Sequence, residues 1–280
     1  MGLKIRWLGV SGFEIETEGG VKIYIDPYLD RRVPFNPPPI LSKDIRKADV
    51  ILATHGHFDH FEDVSKILRQ TNAKLVASKD VCNFVESKLG IAEDRLIPLS
   101  YDETKVVDGV EVTATKAKHR SSLMVLQWLM DDFELQPKTR EEFIKHYEKI
   151  FPPDLMSFAT TVPAGPLQGY FLVTETGFRI WNPTETLPIE ELKTYGMKLG
   201  PQIVLIPVIG KWERWSVDML QWTKPRIAMI HTFDKMLDNQ LIDTDVKSFL
   251  QAMKDQVPST EVIVPVAGET YSFDLSWKRL

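Results

Sequence analysis

The run Thr54-His55-Gly56-His57-Phe58-Asp59-His60 holds three imidazoles and a carboxylate, and it follows directly on the apolar stretch from Asp49 to Thr54. Neutral imidazole and carboxylate are donors for zinc, manganese or iron(II). On extended backbone, side chains at i and i+2 point the same way. His55 and His57 can therefore reach one ion, while Asp59 and His60 turn toward a neighbouring position, so one loop at the end of a buried strand can serve two metals. Three of the six histidines of the chain fall in this one stretch, which weighs against scattered structural or surface roles.

A loop of this size needs ligands from elsewhere, and the chain offers isolated candidates where strands give way to loops. His119 follows the strand pattern ending at Lys118, and His231 follows Ile227-Ala228-Met229-Ile230. Both are expected to be ligands. His146, on the polar side of a charged helical pattern, reads as a solvated residue. Between His119 and His231 runs Phe178-Arg179-Ile180-Trp181-Asn182-Pro183-Thr184-Glu185. Its terminal acid is the candidate bridge between two cations, because a carboxylate offsets charge that neutral imidazoles cannot.

The elements that must carry these residues are legible from periodicity. Lys4–Leu8, Phe13–Thr17 and Val21–Ile25 read as three antiparallel strands joined by glycine turns, closed by Asp26-Pro27 and a proline-dense loop from Pro34 to Pro39. From residue 49 the pattern becomes α/β. Strands are predicted at 49–54, 74–77, 96–99, 110–117, 170–174, 178–181, 203–207, 226–231 and 261–264. Helices are predicted at 62–70, 80–89, 189–199, 216–222 and 244–256. Residues 121–166 read differently, as two helical stretches inserted as a cap on a single 1–280 domain.

Composition narrows the function further. The chain has 280 residues, is 43% apolar and 26% charged, and carries a net charge of −5. No dense Lys/Arg run appears, so affinity for nucleic acid is not expected. The one cysteine, Cys82, excludes an intramolecular disulfide, and its apolar setting predicts a buried, inert thiol. No stretch of about 18 apolar residues suggests a membrane span, and no signal peptide is evident. A cytoplasmic protein without a membrane partner is the expectation.

The order His-x-His-x-Asp-His, then a histidine, an acid and a further histidine, resembles the metallo-β-lactamase-fold hydrolases. Within them, Leu8-Gly9-Val10-Ser11-Gly12-Phe13, Ile25-Asp26-Pro27-Tyr28-Leu29 and Ile206-Pro207 look like the ascorbate-6-phosphate lactonase-like and UPF0173-type metal-dependent hydrolases. The resemblance covers the chain except residues 121–166 and implies a four-layer αββα sandwich with the metals at the edge between two sheets. By position, it implies that His55, His57 and His119 hold one metal and Asp59, His60 and His231 the other. Glu185 stands where the family usually has a bridging aspartate, and Pro183 and Thr184 stand where a small residue and a glycine are expected. Asp26 is implied to orient a ligand from behind.

The chemistry expected of such a site is hydrolysis of a small anionic ester, lactone or phosphodiester by metal-activated hydroxide, with two divalent ions, zinc or manganese before iron. Asp59 would orient the nucleophile and shuttle its proton. Among the nearby loop cations Arg31, Arg32, Lys118, Arg120, Lys211 and Arg214, the two that flank His119, Lys118 and Arg120, are the candidates to hold an anionic group. The apolar stretch Leu123–Met130 would be buried on the domain, against a second subunit, or over the site, where Met124, Trp128 and Met130 would face Trp181, Trp212 and Trp215. Two other readings remain at this stage: a nuclease of the same fold, and a metal-binding scaffold in which Glu185 has disabled the bridge.

Overall fold

The computed structural model describes residues 2–31, 37–118, 161–209, 213–234, 236–237, 240–241 and 244–274. The expected cap therefore lies largely outside the described residues, as does His146. Sixteen strands are seen among the described residues. They are β1 Leu3–Gly9, β2 Gly12–Glu16, β3 Lys22–Ile25, β4 Val50–Leu52, β5 Lys74–Ala77, β6 Leu96–Pro98, β7 Thr104–Val107 and β8 Val110–Lys116, followed by β9 Gln168–Val173, β10 Arg179–Asn182, β11 Ile203–Pro207, β12 Ile227–His231, β13 Met236–Leu237, β14 Gln240–Leu241, β15 Glu261–Ile263 and β16 Thr270–Phe273. The helices are α1 Phe58–Phe61, α2 Val64–Gln70, α3 Lys79–Leu89, α4 Glu190–Leu199, α5 Glu213–Thr223 and α6 Val246–Gln256.

The strands form two seven-stranded mixed sheets, one in the order β16-β1-β2-β3-β4-β5-β6 and the other β15-β12-β11-β10-β9-β8-β7, beside the small β13-β14 ribbon. In the first sheet β3, β4, β5 and β6 run parallel. In the second, β10, β11, β12 and β15 do.

Alternation along these strands builds four layers. Val50 and Leu52 of β4 and Ile203 and Leu205 of β11 meet in the core between the sheets. Their neighbours turn outward: Ile51 and Ala53 pack against residues of α2 and α3, and Val204 and Ile206 against residues of α4, α5 and α6. The αββα sandwich expected from the resemblance is thus observed, and its cause is a two-residue period that is apolar on both faces of the central strands.

Local chemistry fixes the helices. Ser78 accepts from the Val81 amide at the start of α3, and Gly90, at φ 69°, ends it in the left-handed conformation. Asp245 accepts from the Ser248 amide at the start of α6. Cys82 lies on the buried side of α3, and burial pushes its thiol up to about 11, as expected of an inert core thiol. Four strands went unread in the sequence: the two-residue β13 and β14, and the longer β7 and β16. The latter two are sheet edges, and most of their residues face outward. No described helix is long and apolar enough to cross a membrane.

Candidate metal centre

The parallel strands of both sheets deliver their C-terminal ends to one edge of the sandwich, the usual position of a site in such sheets. Asp26 follows β3, the histidine loop follows β4, Glu185 follows β10, and His231 ends β12. The loop is held in place by backbone bonds: the Gln168 amide donates to Thr54 O at 3.0 Å, and the Gly56 amide to Ala164 O at 2.9 Å.

Hydrogen bonds also fix the protons on the rings. Asp26 is buried and accepts from the Thr54 amide (2.8 Å), the Thr54 hydroxyl (2.7 Å) and His60 Nδ1 (2.8 Å). Thr54 has a single hydroxyl proton and gives it to Asp26, so His55 Nδ1, 2.9 Å from the same oxygen, must be the donor there. Nδ1 of both His55 and His60 therefore carries a proton, so the neutral form of each ring presents its lone pair on Nε2. His55 Nε2 then accepts from His57 Nδ1 at 2.8 Å. A cation in place of that shared proton would have both ring nitrogens as donors.

On the far side of His60 the acids gather. Its Nε2 lies 3.7 Å from Asp59 Oδ2 and 3.7 Å from Glu185 Oε1. One donor atom from each of Asp59, His60 and Glu185 falls within 4.8 Å of the others, and all three residues are buried. Burial disfavours an imidazolium, but Asp59, Asp26 and Glu185 together outweigh it and push His60 up to about 9. Burial pushes the Asp26 carboxyl up, against the pull of His60 and Thr54. Such a cluster calls for positive charge. Hard carboxylate oxygens beside neutral imidazole nitrogens are the donor set of a divalent ion, and these residues fit one.

Glu185 reaches the cluster despite its extra methylene because the preceding turn is bent. Thr184 sits at φ 60°, a left-handed conformation costly for a β-branched residue, in the place where a glycine was expected. Its amide is held by Asn182 Oδ1 at 2.8 Å. Gly169 beside this turn has no room for a side chain, since a Cβ there would come 2.9 Å from Pro183 Cα.

The other sequence candidates divide. His231 is buried, with Nδ1 2.7 Å from Thr232 Oγ1. Lys118 has an exposed side chain, and its amide donates to Thr186 Oγ1 at 2.9 Å, which ties it to the Glu185 turn. His119, Arg120, Arg32, Lys211 and Trp212, with the Arg214 side chain, lie outside the described residues. Arg31, another of the nearby loop cations, donates from Nε to Tyr28 O at 3.1 Å and from Nη2 to Leu8 O at 2.6 Å, and so props up the β1–β2 turn. Trp181 is corrected: it is fully buried under α4, with its indole N–H donating to Thr115 Oγ1 at 3.1 Å, and is not open to a substrate. Ser11 and Thr232, which line the Glu185 carboxylate, were missed in the sequence because hydroxyls in turns are ordinary.

Comparison with known proteins agrees with this architecture. Residues 22–136 match a family described as the Beta-lactamase superfamily domain. A UPF0173 metal-dependent hydrolase from Rubrobacter xylanophilus is 31% identical over 207 residues, which cover 74% of this chain and 70% of that one. One from Methanosphaera stadtmanae is 27% identical over 274 residues, covering 96% and 99%. The structure of a metallo hydrolase from Ignicoccus hospitalis superposes with a TM-score of 0.72 at 19% identity, covering 98% of this chain and 100% of that one, a likeness of fold. Fold and sequence together define a metal-dependent hydrolase of the metallo-β-lactamase superfamily. Within it, the chain belongs to the UPF0173 metal-dependent hydrolase family.

Proposed function

We propose that the chain hydrolyses a small anionic ester, lactone or phosphodiester with two divalent ions, zinc or manganese before iron. The observation that carries this reading is the buried grouping of Asp59, His60 and Glu185 within 4.8 Å, beside the converging nitrogens of His55 and His57. His55 and His57, with His119 assigned from the sequence, would hold one ion. Asp59, His60 and His231 would hold the other, and Glu185 would be shared. Bound there, the ions supply a hydroxide available near neutral pH and a sink for oxyanion charge.

The remaining steps belong to the chain. Asp59 orients the attacking water, holds its proton and passes it to the leaving group. Asp26, through Nδ1 of His60, keeps that ring in the tautomer a ligand needs. Lys118 and Arg120 bind the anionic end of the substrate, and the backbone tie between Lys118 and Thr186 supports placing the first of them beside the Glu185 turn. Charge favours two ions, because a pair of dications more than offsets Asp26, Asp59 and Glu185 and leaves a surplus to attract an anion.

The test combines metal counting with one substitution. Protein purified without chelator or histidine tag should contain two equivalents of metal by mass spectrometry and cleave a phosphodiester or phosphorylated lactone. Asp59→Asn should lower turnover by about 10²-fold or more while keeping most of the metal. A parallel loss of turnover and metal would reduce Asp59 to a ligand, and an inability to take up metal on reconstitution would sink the hydrolase reading.

A further inference from the structure

Ser11 lies in the turn between β1 and β2, is 2% exposed, and donates its hydroxyl proton to Glu185 Oε1 at 2.8 Å. The same Ser11 oxygen is 3.3 Å from Thr232 Oγ1. Thr232, fully buried, also lies 3.4 Å from Glu185 Oε1 and 2.7 Å from His231 Nδ1. The hydroxyls thus join a carboxylate at the end of β10 to an imidazole at the end of β12, and one of them comes from the opposite sheet.

Proton counting gives this chain a direction. Each hydroxyl has one proton, and the carboxylate only accepts. Ser11 spends its proton on Glu185, and Thr232 gives its own to Glu185 in the 3.4 Å contact. With that proton so placed, His231 Nδ1 donates to Thr232 and the His231 lone pair is left on Nε2. One pair of hydroxyls therefore sets both the orientation of the carboxylate and the tautomer of the ring.

The backbone holds the pair rigidly. The Thr232 amide donates to Val10 O at 3.0 Å, the Trp7 indole N–H donates to the same carbonyl at 3.0 Å, and the Val10 amide donates to both oxygens of Asp234 at 3.0 and 3.1 Å. Val10 (φ 50°), Thr184 (φ 60°) and Thr232 (φ 67°) are all β-branched and all left-handed. Each adjoins Ser11, Glu185 or His231. Strain of this kind persists where the surroundings over-determine the geometry, and it concentrates at functional sites.

We propose that Ser11 and Thr232 are positioning residues, a two-hydroxyl clasp that orients Glu185 and His231 toward the second metal ion. The proposal rests on the reading of Glu185 as a metal ligand. A glutamate has one more rotatable bond than the aspartate usual at this position, and the clasp removes that freedom before the ion arrives.

Metal-free protein titrated with cobalt(II) tests the clasp, with the visible absorption bands reporting coordination and a competition titration giving the affinity of the weaker equivalent. Ser11→Ala and Thr232→Val should each weaken that equivalent by about tenfold or more and change the bands, whereas Thr232→Ser, which keeps the hydroxyl, should restore both. Adding Ser11→Ala to Glu185→Gln should cost nothing beyond Glu185→Gln alone, since the clasp acts through that carboxylate. Additive losses would mean that Ser11 supports the fold generally, and would overturn the proposal. So would Ser11→Ala and Thr232→Val proteins that bind cobalt like the unaltered chain while Glu185→Gln does not, a result that leaves the reading of Glu185 intact. If Glu185→Gln itself leaves cobalt binding unchanged, the underlying ligand assignment fails with it. Thermal unfolding of each metal-free variant identifies any that does not fold, and Thr232→Val against Thr232→Ser carries the test if Ser11→Ala is such a variant.

Discussion

His60 is the residue at which the electrostatics of the centre can be measured. Its ring stands between Asp26 on one nitrogen and Asp59 and Glu185 on the other, and its pKa rises from the ordinary 6.5 to about 9 in the metal-free chain. A raised folded pKa means that the folded state holds the proton more tightly than the unfolded state. The stabilisation is fully present below about pH 6.5 and is lost as pH rises through about 9. The metal-free chain should therefore melt at progressively lower temperature across that window, and His60→Gln should flatten the slope; a flat profile in the unaltered chain would refute the charge assignment. Metal competes with the same proton, so its affinity should rise over the same range. This residue and its neighbours in the loop stood out in the sequence as a candidate cluster because side-chain type and spacing are written there directly. Ser11 did not: it lies 174 positions from the carboxylate it touches, and a serine in the turn Gly9-Val10-Ser11-Gly12 reads as an ordinary turn former. Nor does any residue type announce the left-handed backbone of Thr184 or Thr232.

Gly56 shows how an element, in this case the loop between β4 and α1, constrains the site. A Cβ at this position would lie 2.0 Å from Pro163 O and 3.0 Å from Val162 Cγ1, so the returning segment 162–164 packs directly on the loop. Gly56→Ala must push one of them away. The expected cost is about 1–3 kcal/mol of stability, and because Gly56 separates His55 from His57, metal occupancy should fall as well. Thermal unfolding and metal analysis of the variant check both, and a variant that keeps its full metal complement would show that the loop yields without moving the histidines. At this scale the sequence was informative wherever a strand is buried. The run 203–207 was predicted to the residue and β5 likewise, since continuous apolar stretches of that length leave little choice. It failed at β13 and β14, which are too short to show a period, and at β7 and β16, where edge strands carry mostly outward-facing side chains and the two-residue period fades. Trp181 misled for a related reason: its size suggested a ligand-facing wall, whereas the register of β10 turns it under α4.

Across the whole molecule, the proposed ligands come from both sheets: the histidine loop from the one holding β4, and Glu185 and His231 from the one holding β10 and β12. The sheets already share an apolar core and a few buried polar ties, such as Tyr170 Oη donating to Ala53 O at 2.9 Å. Three buried carboxylates concentrated at one edge oppose that packing until a cation neutralises them. Metal bound there would join the two halves and remove the repulsion in one event, so it should stabilise the fold as a unit. At a free metal concentration of about 100 times the dissociation constant the gain is about 2.7 kcal/mol. Stripping the metal should accordingly lower the melting temperature of the chain in a single shifted transition, and restoring it should reverse the shift. Glu185→Gln, which removes a ligand and a negative charge together, should narrow the gap between the stripped and loaded forms from both sides, by weakening metal binding and by relieving the metal-free chain. Equal melting temperatures for stripped and loaded protein would mean that the ions do not span the sheets, and two separate transitions would mean that the halves respond independently.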